Sequence, residues 1–412
     1  MIYKSDFLQE ISSRGFIYQS SDIENLDILI SKKKITAYIG FDITSDSLHI
    51  GSLVQLMLLH WLDHYGHKTI ALVGGGTTLV GDPSGKDRSR KIMSLKQISE
   101  NIKKIKKIFS QFINLNEGGS IINNYDWLAD LNYINFLRDI GSRLTINKML
   151  TYESVKSRLD REQPLSFLEF NYMLLQSYDF YHLKKNYDCV LQMGGSDQWG
   201  NIINGIDIIK KILNEKAYAI TSPLITNSDG SKMGKTANGA IWLDKSKLSD
   251  FEFFQFWRNI NDDNVEKFLK LFTTIELKEI NKLSKLKGEE INEAKKILAY
   301  EVTKLTRGVQ SAKEANEITD NVFNKKLTDD RIPTLHINSI EIKNNNFSIL
   351  DAIEKLNLSK SRSDTKRLIK SNGIKINNEI FVSSDLSLEP YANFSEIKIS
   401  VGKKNIGVVK II

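Results

Sequence analysis

The segment from Tyr38 to Ser52 reads Tyr-Ile-Gly-Phe-Asp-Ile-Thr-Ser-Asp-Ser-Leu-His-Ile-Gly-Ser, an arrangement suited to holding a nucleotide's phosphates. Ile35 to Phe41 has the apolar, β-branched character of a buried parallel strand, and Leu53, Leu56, Met57 and Trp61 recur at the spacing of an amphipathic helix ended by Gly66. A second strand is expected over Thr69 to Val73. In such a β-α-β unit, His49 and Gly51 stand at the helix start, where unpaired N–H groups and the dipole attract anions and glycine lets a ligand approach. The second cluster is Lys232-Met233-Gly234-Lys235-Thr236, after the apolar segment Pro223 to Thr226 and between Gly230 and Gly239. Its lysines could close over phosphates that a rigid element does not reach. Taken singly, a loop histidine is more often structural or solvated, and the pentapeptide is more often a surface turn.

The elements that must position these residues need a large core, and 412 residues with 41% apolar content supply one, with smaller domains besides. No stretch has the length and apolarity of a membrane span or the profile of a secretory leader, so a cytoplasmic protein is expected. One cysteine, Cys189, excludes an intramolecular disulfide and a multi-thiolate metal site. The formal charge is +7. Residues 245–330 balance at 16 basic and 16 acidic, whereas residues 347–412 carry 11 against 7. That excess is compatible with an RNA-facing tail and equally with a solvated basic surface.

The expected fold class is α/β: a Rossmann-like parallel-sheet catalytic domain over residues 1–240, an α-helical domain over 241–330, a linker over 331–346 and a small α+β domain over 347–412. Helical patterns cover Asn101 to Phe112 and Asn132 to Leu144, with Gly118-Gly119 and Asn123-Asn124 marking loops. The stretch at about 115–160 reads as an insertion between two halves. Pro333 and Asn344-Asn345-Asn346 suggest the linker. In the tail, Ser348 to Lys355 and Ser361 to Lys370 read as helices, and Gly373 to Ile376 and Ile397 to Val401 as strands. Arg362, Lys366, Arg367 and Lys370 share a face of the second helix.

The histidine-glycine helix start and the lysine loop, in that order, resemble the signature pair of the class I aminoacyl-tRNA synthetases. Gly194-Gly195-Ser196-Asp197-Gln198-Trp199-Gly200-Asn201, with Tyr172, Gln176 and Asp179 before it, is similar to the tyrosine-specific branch, bacterial type, and the likeness runs almost end to end. The resemblance implies attack of a tyrosine carboxylate on the α-phosphate of ATP, then transfer of tyrosine to tRNA(Tyr), by a homodimer joined through the insertion. Phe136, Leu137, Ile140, Leu144 and Ile146 would offer apolar surface for that contact, or face the monomer core. It further implies Thr44, His49, Lys232 and Lys235 at the polyphosphate, and Tyr38, Asp82, Tyr172, Gln176, Asp179 and Gln192 around tyrosine. Gly40, Asp42, Gly51, Ser52, Gly195, Asp197, Gln198, Met233 and Thr236 would complete the ATP site. Arg362, Lys366, Arg367 and Lys370 would face RNA in an S4-like domain, and 241–330 would read the anticodon. Mg²⁺ would arrive with ATP, with no metal or prosthetic group held by the protein itself.

Asp179 can accept the phenol proton and Tyr38 complete the bonding pattern, whereas phenylalanine would leave both unpaired. Asp197 has an alternative as the cap of a helix starting near Trp199. Ser52 stands where the family pattern commonly has a second histidine, and Gly234 and Thr236 where its lysine loop often has serines. A P-loop is excluded by spacing, since Gly230 and Gly234 enclose three residues where four are needed. A tryptophan-specific synthetase would not need Asp179 and usually lacks the tail. A non-catalytic RNA-binding or splicing protein on the same fold is the remaining rival.

Overall fold

The computed structural model describes residues 3–83, 93–226, 233, 235–236, 239–323, 333–338, 341–342, 347–359, 361–377, 379–381, 386–402 and 405–411, with the backbone alone at 153–154, 235–236, 239 and 321–323. The chain forms two compact units. One holds residues 1–234, 242–244 and 266–283, and the other holds the remainder.

The first unit is built on a six-stranded sheet of β1 (Gln19–Ser20), β2 (Thr36–Asp42), β3 (Lys68–Gly74), β4 (Gly119–Asn123), β5 (Cys189–Gly195) and β6 (Tyr218–Ser222), in the order β1-β6-β5-β2-β3-β4. β2 to β6 run parallel and β1 pairs antiparallel at the edge. The chain leaves β2 toward β3 on one side and later returns to β5 on the other. The carboxyl end of β2 is therefore the switch point where such sheets open a crevice. The helix Leu53–His64 follows as its periodicity predicts; Tyr65 is its C-cap, and Gly66 lies just beyond with φ +72°, a left-handed conformation that favours glycine.

One expectation changes here, and one pair of alternatives divides between residues. The glycine and asparagine pairs flank a strand, β4, so the stretch at 115–160 begins by completing the sheet. Phe136 and Ile140 are buried in a cluster with Met149, Val155, Met173 and Leu174, and Leu144 packs against it, while Leu137 and Ile146 stay exposed.

The second unit contains the helices Asp250–Arg258, Ile291–Arg307 and Val309–Phe323, a two-stranded hairpin of β7 (Lys235–Thr236) and β8 (Gly239–Ala240), and a five-stranded sheet. The sheet is β9 (Thr334–Ile337), β10 (Ile374–Ile376), β11 (Glu379–Ile380), β12 (Glu396–Val401) and β13 (Asn405–Ile411), ordered β11-β10-β12-β13-β9. Residues 334–337 were expected to be linker, but they pair in parallel with β13 because Ile337 alternates into the core beside Val409. Phe251 and Ile318 of the helices pack with Ile406 and Val408 of β13.

Candidate active site

Along β2, Tyr38, Gly40 and Asp42 share one face by the two-residue alternation of a strand, and Tyr38 lies opposite Gln192 of β5 on the same face. Gly40 is exposed although its strand is central, and a Cβ built there meets nothing within 4 Å. This open space over a central strand, near the switch point, is the candidate ligand crevice. At its inner end the Tyr38 hydroxyl is buried, with no hydrogen-bond partner among the described residues, and Gln192 Oε1 is in the same state. Each such orphan costs on the order of 1–3 kcal/mol, which a ligand bonding it recovers.

Asp179, on the helix Phe167–Tyr187, lies close enough for its charge to act with burial in raising the Tyr38 phenol well above its ordinary pKa. Its own carboxyl is fully buried and accepts from Asn124 Nδ2 at 2.9 Å and Trp127 Nε1 at 2.8 Å. Burial pushes its pKa up to about 7, against the pull of those two donors and with help from the Asp42 charge. The donors are held in turn. Asn124 Oδ1 accepts the Gly76 N–H at 2.8 Å, and its amide also donates to Thr77 Oγ1, which donates to Asp42 Oδ1 at 2.9 Å. Trp127 stacks on His182 with ring centroids 4.2 Å apart. Asn124 and Trp127 were absent from the sequence-derived set. The only signal was the Asn-Asn pair that ends β4, and the contact to Asp179 spans 52 to 55 residues.

A second network joins expected residues from three segments. Asn201 Nδ2 donates to Gln176 Oε1 at 2.9 Å and to Gln198 Oε1 at 3.3 Å, while Gln198 Nε2 donates to Asp82 Oδ2 at 3.0 Å. Tyr172 is buried one turn before Gln176. The helix Trp199–Leu213 has Gln198, not Asp197, as its N-cap residue, without a side-chain cap bond. Its first turns are braced by Tyr152, whose hydroxyl donates to Asn204 Oδ1 at 2.6 Å and whose ring lies 2.7 Å from a Cβ built on Gly200. Gly195 is similarly closed, 2.7 Å from Asp197 Oδ1 by the same construction.

The helix start departs from expectation. A short 3-10 turn, Ile50–Ser52, precedes the helix, and His49 caps it: Nδ1 accepts the Gly51 N–H at 3.0 Å, while the Ser52 N–H donates to the His49 carbonyl at 2.8 Å. These two N–H groups are thus engaged within the turn. The acceptor role of Nδ1 leaves the ring proton on Nε2. Gly51 is needed for packing, because a Cβ would lie 2.7 Å from the His49 ring and 3.1 Å from the Met233 carbonyl. Thr44 is exposed and Ser52 half-buried. Met233 is buried and donates its N–H to the Ile225 carbonyl at 2.8 Å. Lys232 lies outside the described residues; Lys235 and Thr236 pair through their backbones with Ala240 and Gly239.

In the second unit, Arg362, Lys366, Arg367 and Lys370 are all exposed on the helix Arg362–Lys370. Arg362 pairs with Glu354 at 2.7 Å and with Asp351, and Arg367 with Asp364 at 2.5 Å.

Residues 31–324 match the family model described as tRNA synthetases class I (W and Y). The chain belongs to this family. Among curated members, the tyrosine--tRNA ligase of Pelagibacter ubique is 50% identical over 97% of each chain, and that of Bartonella quintana 49% identical over 100% of this chain and 99% of its own. A C-terminally truncated mitochondrial tyrosyl-tRNA synthetase from Aspergillus nidulans superposes with a TM-score of 0.70 at 30% identity, covering 77% of this chain and 94% of its own. The tryptophan-bound tryptophanyl-tRNA synthetase of Encephalitozoon cuniculi, at 14% identity and a TM-score of 0.56 over 76% of this chain and 91% of its own, shares the fold alone. The synthetase fold thus does not choose between the two amino acids.

Proposed function

We infer that the chain is a tyrosine--tRNA ligase, which joins L-tyrosine and ATP into tyrosyl-adenylate and pyrophosphate and then transfers tyrosine to the 3′ end of tRNA(Tyr). The observation that carries the choice of amino acid is the buried, unpartnered Tyr38 hydroxyl beside the doubly held Asp179 carboxyl. A phenol donates to Asp179 and accepts from Tyr38, and an indole or a phenyl ring cannot do both.

The tyrosine ammonium rests on the Asp82–Gln176 network with Tyr172, and Gln192 completes the pocket. The attacking carboxylate is already ionised at neutral pH, so the site needs no base. Its work is to orient the reactants and to stabilise charge on the departing pyrophosphate. By the family resemblance, His49, Thr44, Lys232 and Lys235 would act on that charge, while Gly40, Asp42, Gly51, Ser52, Gly195, Asp197, Gln198, Met233 and Thr236 would serve the nucleotide. ATP is used as its Mg²⁺ complex. Residues 1–240 carry the reaction, 241–330 the anticodon contact and 347–412 an S4-like RNA contact centred on Lys366 and Lys370. The exposed apolar side chains Ile134, Leu137, Ile146, Leu150, Phe167 and Leu168 support a homodimer. Among the described residues no helix is long and apolar enough to cross a membrane; the cytoplasm is the proposed compartment.

Exchange of labelled pyrophosphate into ATP tests the reading. It should require tyrosine, and equal exchange with tryptophan would reject it.

A further inference from the structure

At the amino ends of β2 and β3, far along the strands from Gly40 and Asp42, lies a cavity of about 480 Å³ that the ligase chemistry does not use. It is lined by residues 4–7 and 30–34 with Tyr65 and His67. Four of these are lysines, Lys4, Lys32, Lys33 and Lys34, against one carboxylate, Asp6.

The walls are fixed without any ligand. Asp27 accepts the Lys4 and Ser5 N–H groups at 2.7 and 2.9 Å, Ser5 caps the helix Asp6–Ser13, and Lys34 bonds the Tyr65 carbonyl. His67 is only 4% exposed, and its Nδ1 accepts the Ile35 N–H at 3.3 Å. The proton is therefore on Nε2, for which the described residues provide no acceptor. Burial and the Lys34 charge push the imidazole pKa down to about 4, so the ring stays a neutral donor at physiological pH. Phe7 packs edge-on against both His67 and Tyr65, giving the cavity an aromatic wall. A pre-formed cavity of this volume, with four lysines on some walls and the half-buried Tyr65 ring on another, suits an anion with an apolar body and is far larger than one phosphate.

We propose that this cavity binds a small phosphorylated ligand of mononucleotide size, its phosphates held among Lys4, Lys32 and Lys33 and its ring set against Tyr65. The site is separate from the one that binds ATP for the reaction.

The probe is guanosine 5′-diphosphate, added to the full chain with the reaction site already filled by tyrosine and a non-hydrolysable ATP analogue. Calorimetry should give one site per chain, with inorganic pyrophosphate binding at least roughly tenfold more weakly. Hydrogen exchange should slow at residues 4–8 and 30–36 and stay unchanged at 38–52. Replacing Lys4, Lys32 and Lys33 together by alanine should weaken guanosine diphosphate roughly tenfold or more while leaving tyrosine-dependent exchange intact. Absence of binding at millimolar probe, protection confined to 38–52, pyrophosphate binding as tightly as the nucleotide, or indifference to the lysine changes would each overturn the proposal.

Discussion

The crevice above β2 and the helix Arg362–Lys370 both present polar groups to a proposed ligand, yet they are built on opposite principles. Around Tyr38 and Asp179 the groups are buried, the Tyr38 hydroxyl and Gln192 Oε1 have no partner among the described residues, and the charged group is held by two donors that are themselves held. On the basic helix every cation is exposed, and two of the four are paired with carboxylates of their own unit. A desolvated hydrogen bond discriminates between ligands that differ by one hydroxyl, whereas an exposed charge adds affinity that salt screens. On the proposed function, selection of the amino acid belongs to the first region and sequence-tolerant grip on RNA to the second.

The sharpest way to break this contrast is Asp179→Asn. It keeps the shape and removes the acceptor charge, so kcat/KM for tyrosine in pyrophosphate exchange should fall on the order of 100-fold or more while that for phenylalanine changes little. In the other region, Lys366→Glu with Lys370→Glu should raise KM for tRNA about tenfold, in a salt-dependent way, and leave pyrophosphate exchange unchanged. Point changes are preferable to deleting the tail, because Ile406 and Val408 cover Phe251 and Ile318 and their loss would open that core. A smaller effect is expected of Trp127→Phe. It removes one donor to Asp179, so tyrosine should bind about tenfold more weakly by equilibrium dialysis, and the Asp179 pKa should move further up. Smallest is Gly200→Ala, whose new methyl meets the Tyr152 ring. The melting temperature should drop by the equivalent of about 1–3 kcal/mol, and Tyr152→Ala in the same chain should restore part of it.

Much of the sheet was legible because its central strands and the helix after β2 are long and periodic enough to declare themselves. The parts that were missed are short or mixed. β4 is five residues that take in one member each of a glycine pair and an asparagine pair, and β9 is the four residues Thr334–Ile337 after a proline, so each reads locally as loop and becomes strand only through a neighbour distant in sequence. The same physics separates the site residues. Tyr38, Asp179, Asp82, Gln176 and Gln198 stood out within motifs, and the structure brings Tyr38 near Asp179 and links the other three. Asn124, Trp127, Thr77 and Tyr152 act through tertiary contacts that leave no local pattern. At the helix start the pattern was read too simply, since His49 takes for itself an N–H expected to face the ligand.

Asp179 also makes the account sensitive to pH. Its folded pKa, about 7, lies above the ordinary 3.8, so between these values the folded chain keeps a proton that the unfolded chain has lost. Asp179 therefore costs stability progressively as pH rises from about 4 to about 7, and no further above that. Accepting a phenol proton requires the ionised form. The most direct measurement is tyrosine affinity by calorimetry from pH 5.5 to 8.5. The dissociation constant should rise roughly tenfold for each unit below about 7 and level off above it, with no such slope in Asp179→Asn. A flat profile in the parent chain, or the same slope in the variant, would contradict the assignment of Asp179 as the group that reads the phenol.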